Sequence, residues 1–273
     1  MTATDERNFT SDANKSARDF NVKDRVVLIT GAGQGIGREL ARQFAAAGAA
    51  AIVADLNAAN AREVAAEIEI VGGRASSAYV DVADEGSVGA LVEDALKTFG
   101  RIDILVNNAS LFSNLAKRPF EQIALAEWRR VMDVNITGAF LCARAVAPAM
   151  KSQAFGRIVN ISSDSVHRGT KNYLHYVTSK SALIGMSNSL ARELGPHGVT
   201  VNCIRPGTVE TEVEERMASL TPEIRQRNID LQCIPRTVVP SDLAGLVIFL
   251  ATPAASFITG QTIACDGGYT HSF

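Results

Sequence analysis

Cysteine is scarce in this chain: four in 273 residues, and none of Cys142, Cys203, Cys233 and Cys265 belongs to a Cys-x-x-Cys pair. That spacing excludes a disulfide framework and a cysteine-built zinc site, and suits scattered buried thiols in a reducing compartment. His167, His197 and His271 show no ligand spacing either, so no metal is expected. An apolar run of about 18 residues is absent, which excludes a spanning helix and any membrane partner of that kind. Basic charge is not in excess: 27 Lys and Arg face 29 Asp and Glu, for a net charge of -2. No basic face is left for nucleic acid. Residues 1–20 have neither the apolar core of a signal peptide nor the Arg-rich profile of a transit peptide, so a cytoplasmic location is expected and 1–21 read as a flexible arm. Internal repeats and Pro/Gly/Ser-rich linkers are missing too, so residues 22–273 read as one domain.

What is present is a rhythm. Short runs rich in Val, Ile and Leu, at 25–30, 50–54, 75–80, 104–107, 156–161, 199–204 and 262–265, alternate with helical stretches. The helices are expected at 36–47, 58–71, 85–99, 124–150, 173–194 and 241–251. Continuous apolar strands separated by helices point to a seven-stranded parallel sheet covered on both faces, an α/β doubly wound Rossmann fold.

The turn after the first run, Thr30-Gly-Ala-Gly-Gln-Gly-Ile-Gly37, does not fit G-x-G-x-x-G but does fit the related T-G-x-x-x-G-x-G. Glycines let a backbone approach a pyrophosphate, and the helix that follows aims unpaired N–H groups at the negative charge. Asp55 ends the second run eighteen residues after Gly37, where a carboxylate can accept hydrogen bonds from an adenosine ribose. A 2′-phosphate there would meet a like charge, and Gln34, Leu56 and Asn57 offer no compensating cation, so NAD is favoured over NADP. The competing reading of Asp55 is a cap for the next helix.

Tyr176-Val-Thr-Ser-Lys180 puts a phenol and an ammonium on one helical face, with Ser163 thirteen residues upstream of the tyrosine. A cation beside a phenol favours the phenolate. Lowering a tyrosine pKa by roughly 2 to 3 units takes about 3 to 4 kcal/mol and yields a working general base.

Together with Asn107-Asn-Ala-Ser110, Asn135, Ile161-Ser-Ser163 and Pro206-Gly207, these motifs fall in the order and spacing of the short-chain dehydrogenase/reductase family, which the chain resembles over residues 22–268. The resemblance implies Tyr176 as the acid/base, Lys180 as the residue that holds the nicotinamide ribose and lowers the tyrosine pKa, and Ser163 as the hydrogen-bond partner of the substrate oxygen. Asn135 resembles the residue that connects the lysine to solvent. On the cofactor side it implies Gly31, Gln34, Gly35, Ile36 and Gly37 around the pyrophosphate, Asp55 on the ribose, Asp81 and Val82 flanking the adenine, and Asn108 against the adenosine-side ribose. Pro206, Gly207, Val209 and Thr211 would pin the carboxamide, with Tyr176 and Lys180 completing the NAD site. Ser110 departs from the family pattern, which has glycine there; a requirement for positive φ would strain this loop.

The resemblance further implies a small-molecule alcohol or ketone partner, a homotetramer built on the helices at 124–150 and 173–194, and a substrate lid near 210–240. Leu111, Phe112, Asp164, Val166, Leu174, His175, Met217 and Leu220 are the candidate pocket wall. Similarity to the branch containing bacterial aryl-alcohol and 1-phenylethanol dehydrogenases implies an aromatic secondary alcohol. The alternatives are a 3-oxoacyl thioester reductase and a non-catalytic NAD-binding sensor.

Overall fold

In the computed structural model, which describes residues 20–112, 115–215 and 221–271, each apolar run forms a strand. The strands β1 (Val26–Thr30), β2 (Ala50–Asp55), β3 (Arg74–Tyr79), β4 (Ile104–Asn107), β5 (Gly156–Ile161), β6 (Val199–Pro206) and β7 (Thr262–Cys265) form one sheet in the order β3-β2-β1-β4-β5-β6-β7. Every pairing is parallel. β1, β4, β5 and β6 are buried at every position, as central strands covered on both faces must be. The polar β3, Arg-Ala-Ser-Ser-Ala-Tyr, is only partly covered at the sheet edge.

The helices are α1 (Gly35–Ala46), α2 (Ala58–Ile70), α3 (Glu85–Phe99), α4 (Leu125–Met132), α5 (Gly138–Ser152), α6 (Ser165–Arg168), α7 (Leu174–Leu194), α8 (Glu212–Glu215), α9 (Pro222–Asp230) and α10 (Pro240–Ala251). Alternate strand residues point to opposite faces. Val27 and Ile29 therefore join Phe44, Ile68 and Leu243 from α1, α2 and α10 in one core. Leu28 joins Leu91, Leu141, Met150 and Leu194 from α3, α5 and α7 in the other. Burial of each such side chain contributes roughly 1.5–3 kcal/mol.

The strand order reverses direction between β1 and β4, and ligands of doubly wound sheets bind beyond the strand ends at that point. Both loops there are tightly built. A Cβ on Gly37 would stand 2.3 Å from the Gly31 carbonyl oxygen and 2.6 Å from Asn108 Nδ2, so only glycine lets α1 start this close to the turn. Asn108 Nδ2 donates to the carbonyls of Thr30 at 3.0 Å and Gly31 at 2.9 Å, and Thr30 Oγ1 accepts from the backbone of Asn108 and Ala109. Ser110 is not among the residues with positive φ, so the departure from glycine brings no left-handed strain.

The helix expected at 124–150 is helical throughout, from Leu125 to Ser152, but is not α-helical throughout. A π-helical turn at Asp133–Thr137 separates α4 from α5, and such turns commonly mark functional sites. Here it presents Asn135 inward: its Oδ1 accepts from Leu111 N at 2.7 Å, and its Nδ2 donates to Leu111 O at 3.2 Å and to Ser179 Oγ at 3.0 Å. The 210–240 segment carries α8 and α9, and its base is closed by the Val209–Val238 bridge and the bond from Glu210 N to Val238 O. Met217 and Leu220 lie outside the described residues, as does residue 1–19 of the expected arm. Phe20 is exposed and stacks on Phe249 at 6.4 Å. Cys142 and Cys203 are buried as expected, whereas Cys233 is exposed because it sits in the open 210–240 segment rather than on a core strand.

Candidate active site

One cavity of about 460 Å³ runs along the carboxyl ends of the strands. Gly31, Gln34, Gly35, Ile36, Asp55, Asp81, Val82, Asn108, Ser163, Tyr176, Lys180, Pro206, Gly207, Val209 and Thr211 all line it. Residues separated by up to 180 positions in the chain thus converge on one wall system because parallel strands end on the same side of the sheet. Gly37 and Asn135 stand behind the wall: Gly37 closes the turn, and Asn135 ties the loop after β4 to α7.

At one end the turn is held by Asp55, whose Oδ2 accepts from Gly33 N at 2.8 Å and whose Oδ1 accepts from Asn57 N at 2.8 Å. The cap of α2 is Asn57, which accepts from Ala59 N and Asn60 N, so helix capping does not explain Asp55. Asp81 Oδ1 accepts from Ala83 N, and Arg130 stands 3.6 Å from its Oδ2. Val82 is buried against Gly138, where a Cβ would come within 2.7 Å of the valine methyl. Gln34 makes no capping bond and the first turn of α1 has no acidic residue, so the helix start faces the cavity without a local cap. These features fit a dinucleotide: a helix start without a cap from its own turn, glycines at φ +63 and +56 at Gly31 and Gly35, and a carboxylate at the end of β2.

At the other end stand the ionisable groups. Lys180 is 3% exposed; its Nζ donates to Ile161 O at 2.8 Å and lies 5.7 Å from the centre of the Tyr176 ring. Burial lowers the lysine pKa from 10.5 to about 8, with a smaller opposing effect of Cys203. The charged lysine is costly here, and a developing phenolate beside it offsets part of that cost. Ser163 Oγ accepts from Ser165 N at 3.2 Å at the start of α6, which fixes the serine at the exit of β5. Ser162 Oγ donates to Lys180 O at 2.7 Å and so ties the exit of β5 to α7, while Ser179 Oγ donates to Tyr176 O at 2.8 Å within α7. Asp164 is buried, which raises its pKa against the opposing pull of Arg168, whose Nη2 donates to it at 2.8 Å.

Of the expected pocket wall, Leu111, Phe112 and Asp164 line the cavity, while Val166, Leu174 and His175 do not. Leu174 points outward at 45% exposure. His175 is fully buried, with Nε2 3.0 Å from Glu127 Oε1, because the next helical position is rotated about 100° from Tyr176. Sequence reasoning missed Tyr173, Lys117, Arg168 and Asn228, which also line the cavity. Tyr173 stacks on Tyr176 at 4.8 Å and donates its hydroxyl proton to Phe112 O at 2.9 Å. Burial, then the neighbouring Tyr176 charge, push its pKa upward, so Tyr173 stays a neutral aromatic wall. Its position three residues before Tyr176 was the available signal.

Fold and site together define an oxidoreductase of the doubly wound, nucleotide-binding class. The particular family follows from comparison with known proteins. The family model described as enoyl-(acyl carrier protein) reductase matches residues 31–270. The short-chain reductase protein NovJ of Streptomyces niveus is 39% identical over 250 residues, covering 90% of this chain and 94% of that protein. A 3-oxoacyl-[acyl-carrier-protein] reductase of Synechocystis is 38% identical over 248 residues, covering 89% and 96% respectively. Among solved structures, 7α-hydroxysteroid dehydrogenase complexed with NADH and 7-oxoglycochenodeoxycholic acid superposes with a TM-score of 0.87 at 35% identity, covering 92% of this chain and 96% of that one. The chain belongs to the short-chain dehydrogenase/reductase family.

Proposed function

We propose that this protein interconverts a secondary alcohol and a ketone with NAD, Tyr176 acting as the general acid/base. The observation that carries the reading is the single cavity joining the Gly31–Gly35 turn and Asp55 to Ser163, Tyr176 and Lys180. A bound nicotinamide dinucleotide supplies the hydride acceptor or donor. The chain supplies the rest. Ser163 hydrogen-bonds the substrate oxygen and fixes its distance from the phenol. Tyr176 takes the hydroxyl proton in oxidation and returns it in reduction. Lys180, held by Ile161 O, favours the phenolate by its charge. Asn135 keeps α7 and the loop after β4 in register behind these groups.

Gly31, Gln34, Gly35, Ile36 and Gly37 would form the turn around the dinucleotide phosphates, Asp55 and Asn108 would hold the adenosine ribose, Asp81 and Val82 would flank the adenine, and Thr211 would join the carboxamide contacts. Pro206, Gly207 and Val209 would seat the carboxamide. Asp55 favours NAD over NADP through like-charge repulsion of a 2′-phosphate. The 210–240 segment covers the substrate end as a lid.

The substrate end is walled by Phe112, Tyr173 and Tyr176, an aromatic cluster with ring separations of 5.2 and 4.8 Å, which suits an aromatic or medium-sized apolar alcohol. The oxo groups in the names of the hydroxysteroid and 3-oxoacyl relatives agree with a ketone at the reacting carbon. The test is a panel of secondary alcohols with NAD and NADP, aromatic and aliphatic, followed by NADH formation. Turnover with NAD on aryl-alkyl carbinols is expected. Absence of turnover on every alcohol and ketone with either cofactor would favour a non-catalytic binding protein instead.

A further inference from the structure

The start of α1 receives a side-chain carboxylate from a distant part of the chain. Gln34 contributes no cap and the first turn contains no acid, yet Gly35 N donates to Glu212 Oε1 at 2.8 Å across 177 positions of sequence. Glu212 opens α8, in the segment that leaves the sheet after β6. Its neighbours are seated on the same turn: Thr211 and Val213 side-chain atoms lie 3.6 to 3.8 Å from the point where a Gly35 Cβ would stand. A helix start of this kind attracts negative charge, and its N–H groups are the ones that receive phosphate oxygens.

We infer that Glu212 is an affinity-setting residue: its carboxylate holds the phosphate position of the dinucleotide site and has to leave before a pyrophosphate can take it. This rests on the dinucleotide reading above. Two anions cannot share one helix start without repulsion, so the protein exists in two arrangements, one with Glu212 on Gly35 and one with the site open. Only the open fraction binds, and apparent affinity falls in proportion to it. Expulsion of Glu212 also moves Thr211 and Val213, so cofactor arrival repositions the segment that borders the substrate end. A carboxylate at a helix start is held by about 0.3–1 kcal/mol, which sets the expected effect at about a two- to fivefold change in affinity.

The test is Glu212→Gln in the full-length protein, which keeps the side-chain length and an oxygen acceptor for Gly35 N–H but removes the charge. NADH, ADP-ribose and adenosine are titrated against both proteins, by NADH fluorescence and by calorimetry. The expected result is about a two- to fivefold tightening for NADH and ADP-ribose with adenosine unchanged. The melting temperature of the ligand-free variant should fall while that at saturating NADH stays level, so the NADH-induced shift grows. Unchanged or weaker NADH binding by the variant would overturn the inference and leave the cofactor assignment standing. Equal tightening of all three ligands would overturn it too, since adenosine carries no phosphate. Failure of both proteins to bind NADH would overturn the inference and the cofactor assignment together.

Discussion

Replacing Lys180 with methionine should make the protein more stable and inactive at once. Lys180 is 3% exposed, and burial takes its pKa from 10.5 to about 8. Holding the charged form in that place costs about 3 kcal/mol at neutral pH. Methionine fills a similar volume without charge, and the loss of the bond from Nζ to Ile161 O at 2.8 Å removes about 1 kcal/mol in return. The net gain is about 2 kcal/mol, or about 3 to 4 °C in melting temperature for a chain of this size. The sign with pH follows from the lowered pKa. The native lysine is penalised fully below pH 8, and the penalty fades as pH rises from about 8 to 10.5, where the unfolded lysine also loses its proton. Differential scanning calorimetry of both proteins without cofactor, at neutral pH and again at a pH near the upper end of that window, measures it. A destabilised variant at neutral pH, or a gain that does not shrink at high pH, would refute the reasoning. The accompanying loss of turnover would locate the cost of the buried charge in function.

Further outcomes concern the cofactor end. Asp55→Asn should narrow the preference for NAD over NADP by at least about tenfold in kcat/KM, because a like charge facing the 2′-phosphate is removed; a wild-type preference for NADPH would contradict the role given to Asp55. Gly37→Ala should abolish NADH binding and lower the melting temperature, since the new methyl would lie 2.3 Å from the Gly31 oxygen. Its control is Gly89→Ala in α3, where a Cβ meets nothing within 4 Å, and there stability should rise by about 0.5–1 kcal/mol.

The central strands were legible in the sequence because a strand buried on both faces has to be apolar, whereas the polar β3 at the sheet edge follows from its place in the alternation of strands and helices. All seven runs appear within one or two residues of their expected limits, including the weak β7. The helix over 124–150 is legible because its apolar pattern continues; nothing in that pattern records the π-helical turn inside it, at which Asn135 bonds to Leu111 and Ser179. Ser163, Tyr176, Lys180 and the glycine turn were legible as spaced motifs, each chemically constrained. The substrate wall was legible only in part: Leu111, Phe112 and Asp164 line the cavity as expected. Tyr173 precedes α7 and earns its place by stacking on Tyr176, while Arg168 is placed by the short α6 and its pairing with Asp164. His175 was the reverse case, a residue adjacent to the tyrosine in sequence that the helical rotation sends to Glu127. The contact from Glu212 to Gly35 spans 177 positions and no local pattern announces it.

The role of Tyr176 is tested most directly by Tyr176→Phe, which removes one oxygen and leaves the stacking against Tyr173 and Phe112 in place. NAD-dependent oxidation of a secondary alcohol should fall by about 10² to 10⁴ while NADH affinity stays at its wild-type value. Retention of wild-type turnover by the phenylalanine variant would contradict the assignment of the phenol as the proton-transferring group.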